Sequence, residues 1–503
     1  MRHQTLLSLL FLTILSYGFA QVSSVKRIEF DLKDDFYGES IYEFGEDGLV
    51  MVSNSKASGG EVTWKYEKFN NDLERTGEQL LYIEKGYWRD ETFRDDKTLY
   101  TFFKNKRGEY RIVNYNIQSS KFEEVTGSLE KNTGVSRMAV LGDYAYFTAT
   151  YKKAPHVFTV NLKTGEQKFS PIKIEGFNSK KLTIENMQLM EESNEVFLII
   201  EAFLNRKESS MYVIRMDDQG GIKDNYNFSQ GMEERIISAS ASNIGDNEYV
   251  ITGTHSSKGK GASDGMYFST VKDGMITNIN FYSFLELENF LNYLPQKKQE
   301  KIEKKKARKE SKGKDYSISY LLAPHNIIKV DDGYIFLAEA FYPTYRQEAQ
   351  TRTTFVNGVA TTTTVWVTVF DGYQYTHAFF AKFNEKGEKE WDQSFEMWMA
   401  YKPYYVKRFI NIAEQKQDAI KLVYASRSRI HSKSFDFSGT ILEDESSEEI
   451  DTGMDSDKVK RSYSNMSYWY GNYFLAYGSQ KIKNKTESDK KKRTVYFINK
   501  IQY

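Results

Sequence analysis

Few residues of this chain are suited to chemistry at neutral pH, and they are scattered. Beyond His3 the histidines stand at His156, His255, His325, His377 and His431, with no HExxH pair and no close His–His spacing. His325 and His377 fall in one stretch and could meet, although a hydrogen-bonded structural imidazole is the simpler expectation for each. Cysteine is absent, which removes disulfides, thiolate metal sites and a thiol nucleophile. No G-x-S-x-G elbow, phosphate-binding loop or dinucleotide fingerprint stands in its required context. Residues 443–457 hold eight acidic side chains and no basic one: Glu443, Asp444, Glu445, Glu448, Glu449, Asp451, Asp455 and Asp457. Calcium needs roughly six to eight oxygens fixed in space. This run lacks the EF-hand spacing, so it reads as a solvated surface loop, and no metal site is expected. Lys481 to Arg493 reads as a similar basic loop.

Two other clusters suit binding better than catalysis. Residues 295–314 carry nine Lys and one Arg against three Glu, a net of +7. Lys297, Lys298, Lys304, Lys305 and Lys306 are its densest part. Such a run attracts an acidic protein patch, anionic lipid or a polyanionic glycan. Residues 342–377 carry Tyr342, Tyr345, Phe355, Trp366, Tyr373 and Tyr375, and aromatic side chains are favoured at protein interfaces.

The elements that must position these residues are strands. Over residues 325–398 short apolar runs rich in aromatic and β-branched residues are closed by Asp332-Gly333 and Lys386-Gly387. That is the pattern of a four-stranded antiparallel meander, which cannot bury its faces alone, so the pattern should repeat. Its second strand recurs from Leu49, Leu99, Ala145, Val196, Tyr249, Tyr334, Ile420 and Tyr473, at a period near fifty residues broken by two intervals of 85 and 86. The third strand of many units ends in an apolar residue, then Asp or Asn, then Gly, as in Val160-Asn161 to Gly165 and Phe383-Asn384 to Gly387. Glycine accepts the positive φ of a tight hairpin turn.

The chain therefore resembles the β-propellers, in which each unit is one blade of four antiparallel strands. The resemblance covers nearly all of residues 22–503 and identifies an architecture, not a family within it. Eight blades are expected, with seven as the alternative if residues 98–129 or 419–450 are misread. Val25 to Leu32 is a strand without a unit of its own, and the last unit lacks a fourth strand. Pairing the two ends would complete the last blade and remove an open edge. Ala381 to Trp391 has the spacing of the tryptophan repeat of quinoprotein propellers, and Thr159 to Phe169 is a weaker copy. The other units lack the Trp, so no cofactor is expected. The Asp-box of sialidase propellers is missing from the same turn.

The long intervals read as insertions. In residues 283–316, Ser283 and Glu286 form a capping box, and Leu287, Phe290, Leu291 and Leu294 fall on one helical face. A helical, basic insertion is expected there. In residues 342–377, Asn357-Gly358 suits a type I′ turn, so the second and third strands of that unit should extend into a long protruding β-hairpin. A two-stranded ribbon is marginal alone in water, so it should lie against something.

Composition bounds the rest. Lys+Arg 69 balances Asp+Glu 69, which argues against a nucleic-acid binder. Arg2 and His3 precede the apolar run Leu6 to Leu15, and Gly18-Phe19-Ala20 precedes an expected signal-peptide cut near Ala20/Gln21. No other apolar stretch reaches the roughly 18 residues of a spanning helix, so no transmembrane segment is expected. The expectation is an exported, single-domain propeller of the periplasm or cell envelope. It would be a non-catalytic binding or scaffold protein, its partner another envelope or outer-membrane-associated protein. A carbohydrate-active enzyme or glycan-binding propeller is the alternative. Acidic residues clustered in the central channel would favour the enzyme, and an apolar patch on the hairpin would favour the scaffold.

Overall fold

The computed structural model describes residues 22–32, 36–56, 58–205, 208–257, 261–357, 359–413, 419–484, 486 and 492–503. The expected signal segment lies outside them. The regular structure of the described residues is almost wholly strand and assembles into eight antiparallel sheets. The first sheet shows the rule: Phe36–Glu43, Leu49–Ser55, Glu61–Phe69 and Arg75–Glu84 pair in chain order. The second strands of the eight sheets are Leu49–Ser55, Thr98–Asn105, Tyr144–Tyr151, Glu195–Phe203, Glu248–Ser256, Gly333–Val356, Ile420–Ser426 and Tyr473–Asn484.

Burial explains why the second strand is the strongest sequence signal. In Glu195–Phe203 every residue but the last is buried, whereas the outer strand Ile222–Asn227 of the same sheet is mostly exposed. A strand covered on both faces must be apolar throughout and loses the alternation of a half-buried one. The covering comes from neighbouring sheets. Val52 and Tyr66 of the first sheet pack with Phe103 and Tyr115 of the second. Phe336 and Phe379 of the sixth pack with Val250 and Phe268 of the fifth. Leu475 and Ile498 of the eighth pack with Leu49 and Phe69 of the first. Repeated four-stranded meanders packed face to face are the β-propeller architecture.

Turn glycines serve a second purpose besides φ. Gly387 (φ +77) sits in the third turn of the sixth sheet, where a Cβ would lie 2.2 Å from Phe268 of the fifth. Gly439 (φ +85) in the seventh sheet would meet Trp391 of the sixth at 2.6 Å. The Trp391 indole donates to the Phe437 carbonyl at 2.9 Å. Each of these turns thus rests on the preceding sheet, and a side chain at the glycine would push the two apart.

The chain ends meet in the eighth sheet. Ser23–Asp31 pairs antiparallel with Lys492–Gln502, placing Ile28 opposite Ile498 and Phe30 opposite Tyr496. Arg27 donates to Asn499 and Gln480, and Arg493 bridges Glu29 and Asp457. Burial alone would raise the Asp457 carboxyl, but hydrogen bonds from Arg493 and Asn484 bring it below its usual range. Two runs expected as surface loops are strand over part of their length. In the acidic run Ile441–Glu449 is the outer strand of the seventh sheet and Asp457 opens Asp457–Tyr470 with its side chain fully buried on Arg493, while residues 450–456 form the loop between them. In the basic run, Lys481 and Lys483 lie within Tyr473–Asn484 and Arg493 within Lys492–Gln502. Of the seven residues between those strands only residue 486 is described.

The first insertion also differs from expectation. The Ser283–Glu286 capping box forms, but it caps one 3-10 turn, Phe284–Glu286. A longer helix does not follow, because the Glu288 and Asn289 amides donate to Asp392 of the sixth sheet at 3.0 and 2.7 Å. Phe284, Leu287 and Phe290 are buried against the fifth and sixth sheets instead of lining a helix. The helix is α1, Gln296–Glu310, starting after Pro295, with no buried residue. No helix among the described residues is long and apolar enough to cross a membrane.

In the sixth sheet Gly333–Val356 and Val359–Phe383 pair along their length. Beyond Phe341 and His377 no other strand of the sheet pairs with them. Asp371 and Gly372 form a bulge opposite Thr344, whose hydroxyl donates to the Gly372 carbonyl at 2.8 Å. The ribbon does not lie against the sheets: nearly every described residue from Tyr345 to Trp366 is exposed. Its own pairs hold it, with Thr351 and Thr353 facing Thr364 and Thr362.

Candidate functional site between the two insertions

Strand parity decides which connections share a face. In an antiparallel meander successive strands reverse, so the turn between strands two and three leaves on the same side as the link to the next sheet. The hairpin of the sixth sheet, the insertion carrying α1, and the link after the sixth sheet (residues 397–410) therefore emerge together. Between them lies a groove of about 1120 Å3. Its walls include Tyr293, Leu294 and Lys298 from the first insertion, Tyr342 and Tyr375 from the hairpin root, Trp398 from the link, and Arg427 and Arg429 from the seventh sheet.

The link is fixed by its backbone and leaves its aromatic side chains outside. The Trp398 amide donates to the Tyr424 hydroxyl at 2.9 Å, and Ser426 bonds the Trp398 carbonyl and the Ala400 amide. The Tyr373 amide donates to the Pro403 carbonyl, and Phe409 and Ile410 amides donate to the fully buried Glu339. Trp398, Tyr404 and Tyr405 nevertheless remain 63, 65 and 69% exposed. Tyr342 and Tyr345 are also exposed nearby, with Phe370 bridging Tyr345 and Tyr404 at ring distances of 6.0 and 5.9 Å. Exposed aromatics on a pinned backbone lose little entropy on binding.

The sequence-derived candidates separate into three groups. Lys298, Tyr342 and Tyr375 reach the groove. Phe355 and Trp366 stand exposed along the ribbon, and Lys297, Lys304 and Lys305 on the open surface of α1. Lys306 instead folds back onto the Leu285 carbonyl. Tyr373 and Tyr375 do not decorate the ribbon. Tyr375 is 1% exposed, packs on Phe409 at 4.9 Å and bonds the Lys407 backbone through its hydroxyl. Tyr373 is partly buried between Phe341 and Phe370, each ring 5.0 Å away. They stand at the root of the ribbon, just beyond its last pairing with the rest of the sheet, where the link of residues 397–410 still covers them. The sequence reading missed Trp398, Tyr404, Tyr405, Arg427 and Arg429. The available signal was aromatic density without strand period over residues 397–405.

His325 and His377 have separate partners. His325 Nε2 contacts Glu339 at 2.8 Å. His377 is fully buried, stacked on Tyr293 at 3.7 Å, and burial pushes its imidazole down to about 3.

A second cavity of about 1040 Å3 is lined by inner strands of successive sheets, with Glu91, Arg137, Glu185 and Arg408 among its walls. The inner strands are bulged at Asp90, Arg137, Glu185 and Ile237, and bulges re-aim side chains. Burial raises the carboxyls of Glu91 and Glu185, and the Arg137 charge opposes both shifts. This cavity therefore mixes acidic and basic groups.

No protein-family model matches this chain. No curated protein matches it. Solved structures similar to it include a prolyl endopeptidase at 10% identity and TM-score 0.40, covering 90% of this chain and 55% of that one. The tricorn protease matches at 9% identity and TM-score 0.38, covering 85% of this chain and 36% of that one. An uncharacterised Listeria monocytogenes protein matches at 9% identity and TM-score 0.38, covering 80% and 95%. This chain thus spans little more than half of the prolyl endopeptidase, and likeness at this level assigns no activity.

Proposed function

We propose that this chain is an exported eight-bladed propeller, closed by its N-terminal strand, that acts as a non-catalytic binding protein of the cell envelope. Its ligand is a polypeptide segment combining apolar and acidic side chains, supplied by another envelope or outer-membrane-associated protein. The observation that carries this reading is the set of exposed aromatics, Trp398, Tyr404 and Tyr405, on a backbone held by hydrogen bonds beside a groove walled by Lys298, Arg427 and Arg429. Aromatic anchors carry most binding energy at interfaces, and surrounding cations steer an acidic partner. The exposed ribbon adds Phe355 and Trp366 to the same side. The signal-like N-terminus supports export.

The test is affinity capture from the native host with wild type and Trp398→Ala/Tyr404→Ala. The double variant should keep its far-ultraviolet spectrum and weaken capture of the principal partner by about thirty-fold or more, the scale of a lost hot spot. Equal capture by both proteins would reject the groove as the site. A glycan-directed function is the second reading, favoured by Glu91 and Glu185 in the channel. It requires that Glu185→Gln abolish glycan binding or hydrolysis while protein capture persists.

A further inference from the structure

Three ligand-bearing side chains that the groove does not use meet on the same face of the fifth sheet. Glu234 lies in the link entering that sheet, just before Arg235–Gly245. His255 is near the end of Glu248–Ser256, and Asp264 immediately precedes Gly265–Lys272. The strand parity that gathers the groove residues also gathers these. His255 Nδ1 lies 3.3 Å from a Glu234 carboxylate oxygen and 3.9 Å from one of Asp264, and one ligand atom from each residue lies within 4.8 Å of the others.

The 3.3 Å contact to Glu234 is a long hydrogen bond and also matches the spacing of two donors sharing one ion, whereas Asp264 at 3.9 Å is within reach of that ion but not hydrogen-bonded to the ring. Two donors each about 2.0–2.1 Å from a tetrahedral cation stand about 3.3 Å apart. His255 and Asp264 are only 5 and 3% exposed, so weak pairing is costly here. Asp264 is already oriented: its carboxylate accepts from the Ser257 amide and hydroxyl, and from the Ser317 hydroxyl. Such outer bonds hold a carboxylate ligand without using all its lone pairs.

The other imidazole nitrogen leaves Nδ1 as the only ring atom turned to the carboxylates. His255 Nε2 is buried and has no hydrogen-bond partner. It shares a small space with the Tyr282 carbonyl, kept open by Gly265, where a Cβ would lie 2.1 Å from Nε2 and 2.4 Å from that oxygen. Nδ1 faces the two carboxylates: as N–H it donates to Glu234 at 3.3 Å, and as a bare lone pair it can ligate an ion that they share.

We propose that Glu234, His255 and Asp264 form a binding site for a first-row divalent cation, with zinc the best-fitting ion. One nitrogen and two carboxylate oxygens suit zinc, whereas calcium sites are built from oxygens. Glu234, partly exposed, would close onto the ion, and water would fill the remaining position. The bound ion would tie the link entering the fifth sheet to that sheet's second turn.

The full chain, stripped with chelator and then titrated with zinc chloride and with calcium chloride, tests this by calorimetry and thermal unfolding. One zinc per chain should bind and raise the melting temperature, as any ligand of the native state does. Glu234→Gln should lower zinc affinity by at least about ten-fold with an unchanged spectrum. It is preferred to a His255 variant because Glu234 is not core. Asp444→Asn, in the exposed acidic strand, should bind zinc as wild type does. The proposal is overturned by no stoichiometric uptake, by tighter calcium than zinc binding, or by loss of zinc from Asp444→Asn and not from Glu234→Gln.

Discussion

His377 shows how little of a side chain's role its type reveals. Its Nδ1 lies 3.0 Å from the Thr376 hydroxyl, its ring stacks on Tyr293, and the Tyr293 hydroxyl bonds that of Tyr320 at 2.8 Å. Burial pushes His377 from 6.5 to about 3, and burial followed by the Arg429 charge pushes His431 to about 4. Both rings are therefore neutral when folded and protonate more readily when unfolded. Stability they leave intact above pH 6.5 should fall as pH drops towards 3 to 4. The slope is up to about 1.4 kcal/mol per pH unit for each ring. Urea unfolding across this range should show it, and His377→Gln should flatten it; an unchanged slope would place the acid sensitivity elsewhere. The sequence located this histidine in a strand. It did not reveal the Tyr293 that covers it, which comes from an irregular segment more than eighty residues away in the chain.

At the scale of elements, alternation and capping were read correctly in part and misled where packing came from another sheet. The hydroxyl and carboxylate at Ser283 and Glu286 do satisfy a helical turn. The apolar spacing after them mimics a helix because Leu287 and Phe290 follow an irregular path into the gap between two sheets, anchored by Asp392. Likewise six aromatics marked the hairpin, but Tyr373 and Tyr375 belong to the core below it. A cut replacing 346–369 with a short turn should therefore leave the melting temperature nearly unchanged. Replacing 343–376 should destabilise the fold, and Tyr375→Ala alone should cost about 3–5 kcal/mol, as loss of a buried aromatic does. Thermal unfolding of the three variants decides this. If the shorter cut is as damaging as the longer, the ribbon stabilises the sheets.

The repeat was the most legible feature of the whole molecule, because each second strand is sandwiched between neighbours and must be apolar throughout. The pairing of the chain ends was legible for a related reason: a unit one strand short and a strand without a unit imply each other. Deleting residues 22–32 should expose Lys492–Gln502 as an edge, remove the Arg27 and Glu29 bonds, and produce aggregation or a large loss of thermal stability. Unchanged solubility and melting would show that the strand contributes little. The groove was less legible because its residues come from the first insertion, the hairpin root, the link and the seventh sheet, and no local pattern joins them. Only strand parity, a property of the assembled sheets, puts them on one side.

The claim that this side is where the partner binds is tested most directly by site-specific photo-crosslinking in the native host. One probe replaces Tyr404 at the groove, and the other replaces Met275, 69% exposed at the start of Met275–Ser283, just after a turn on the opposite side by the same parity. The account predicts one dominant protein adduct at Tyr404, lost when Trp398 is also changed to Ala, and none at Met275. Adducts at Met275 and none at Tyr404 would contradict it.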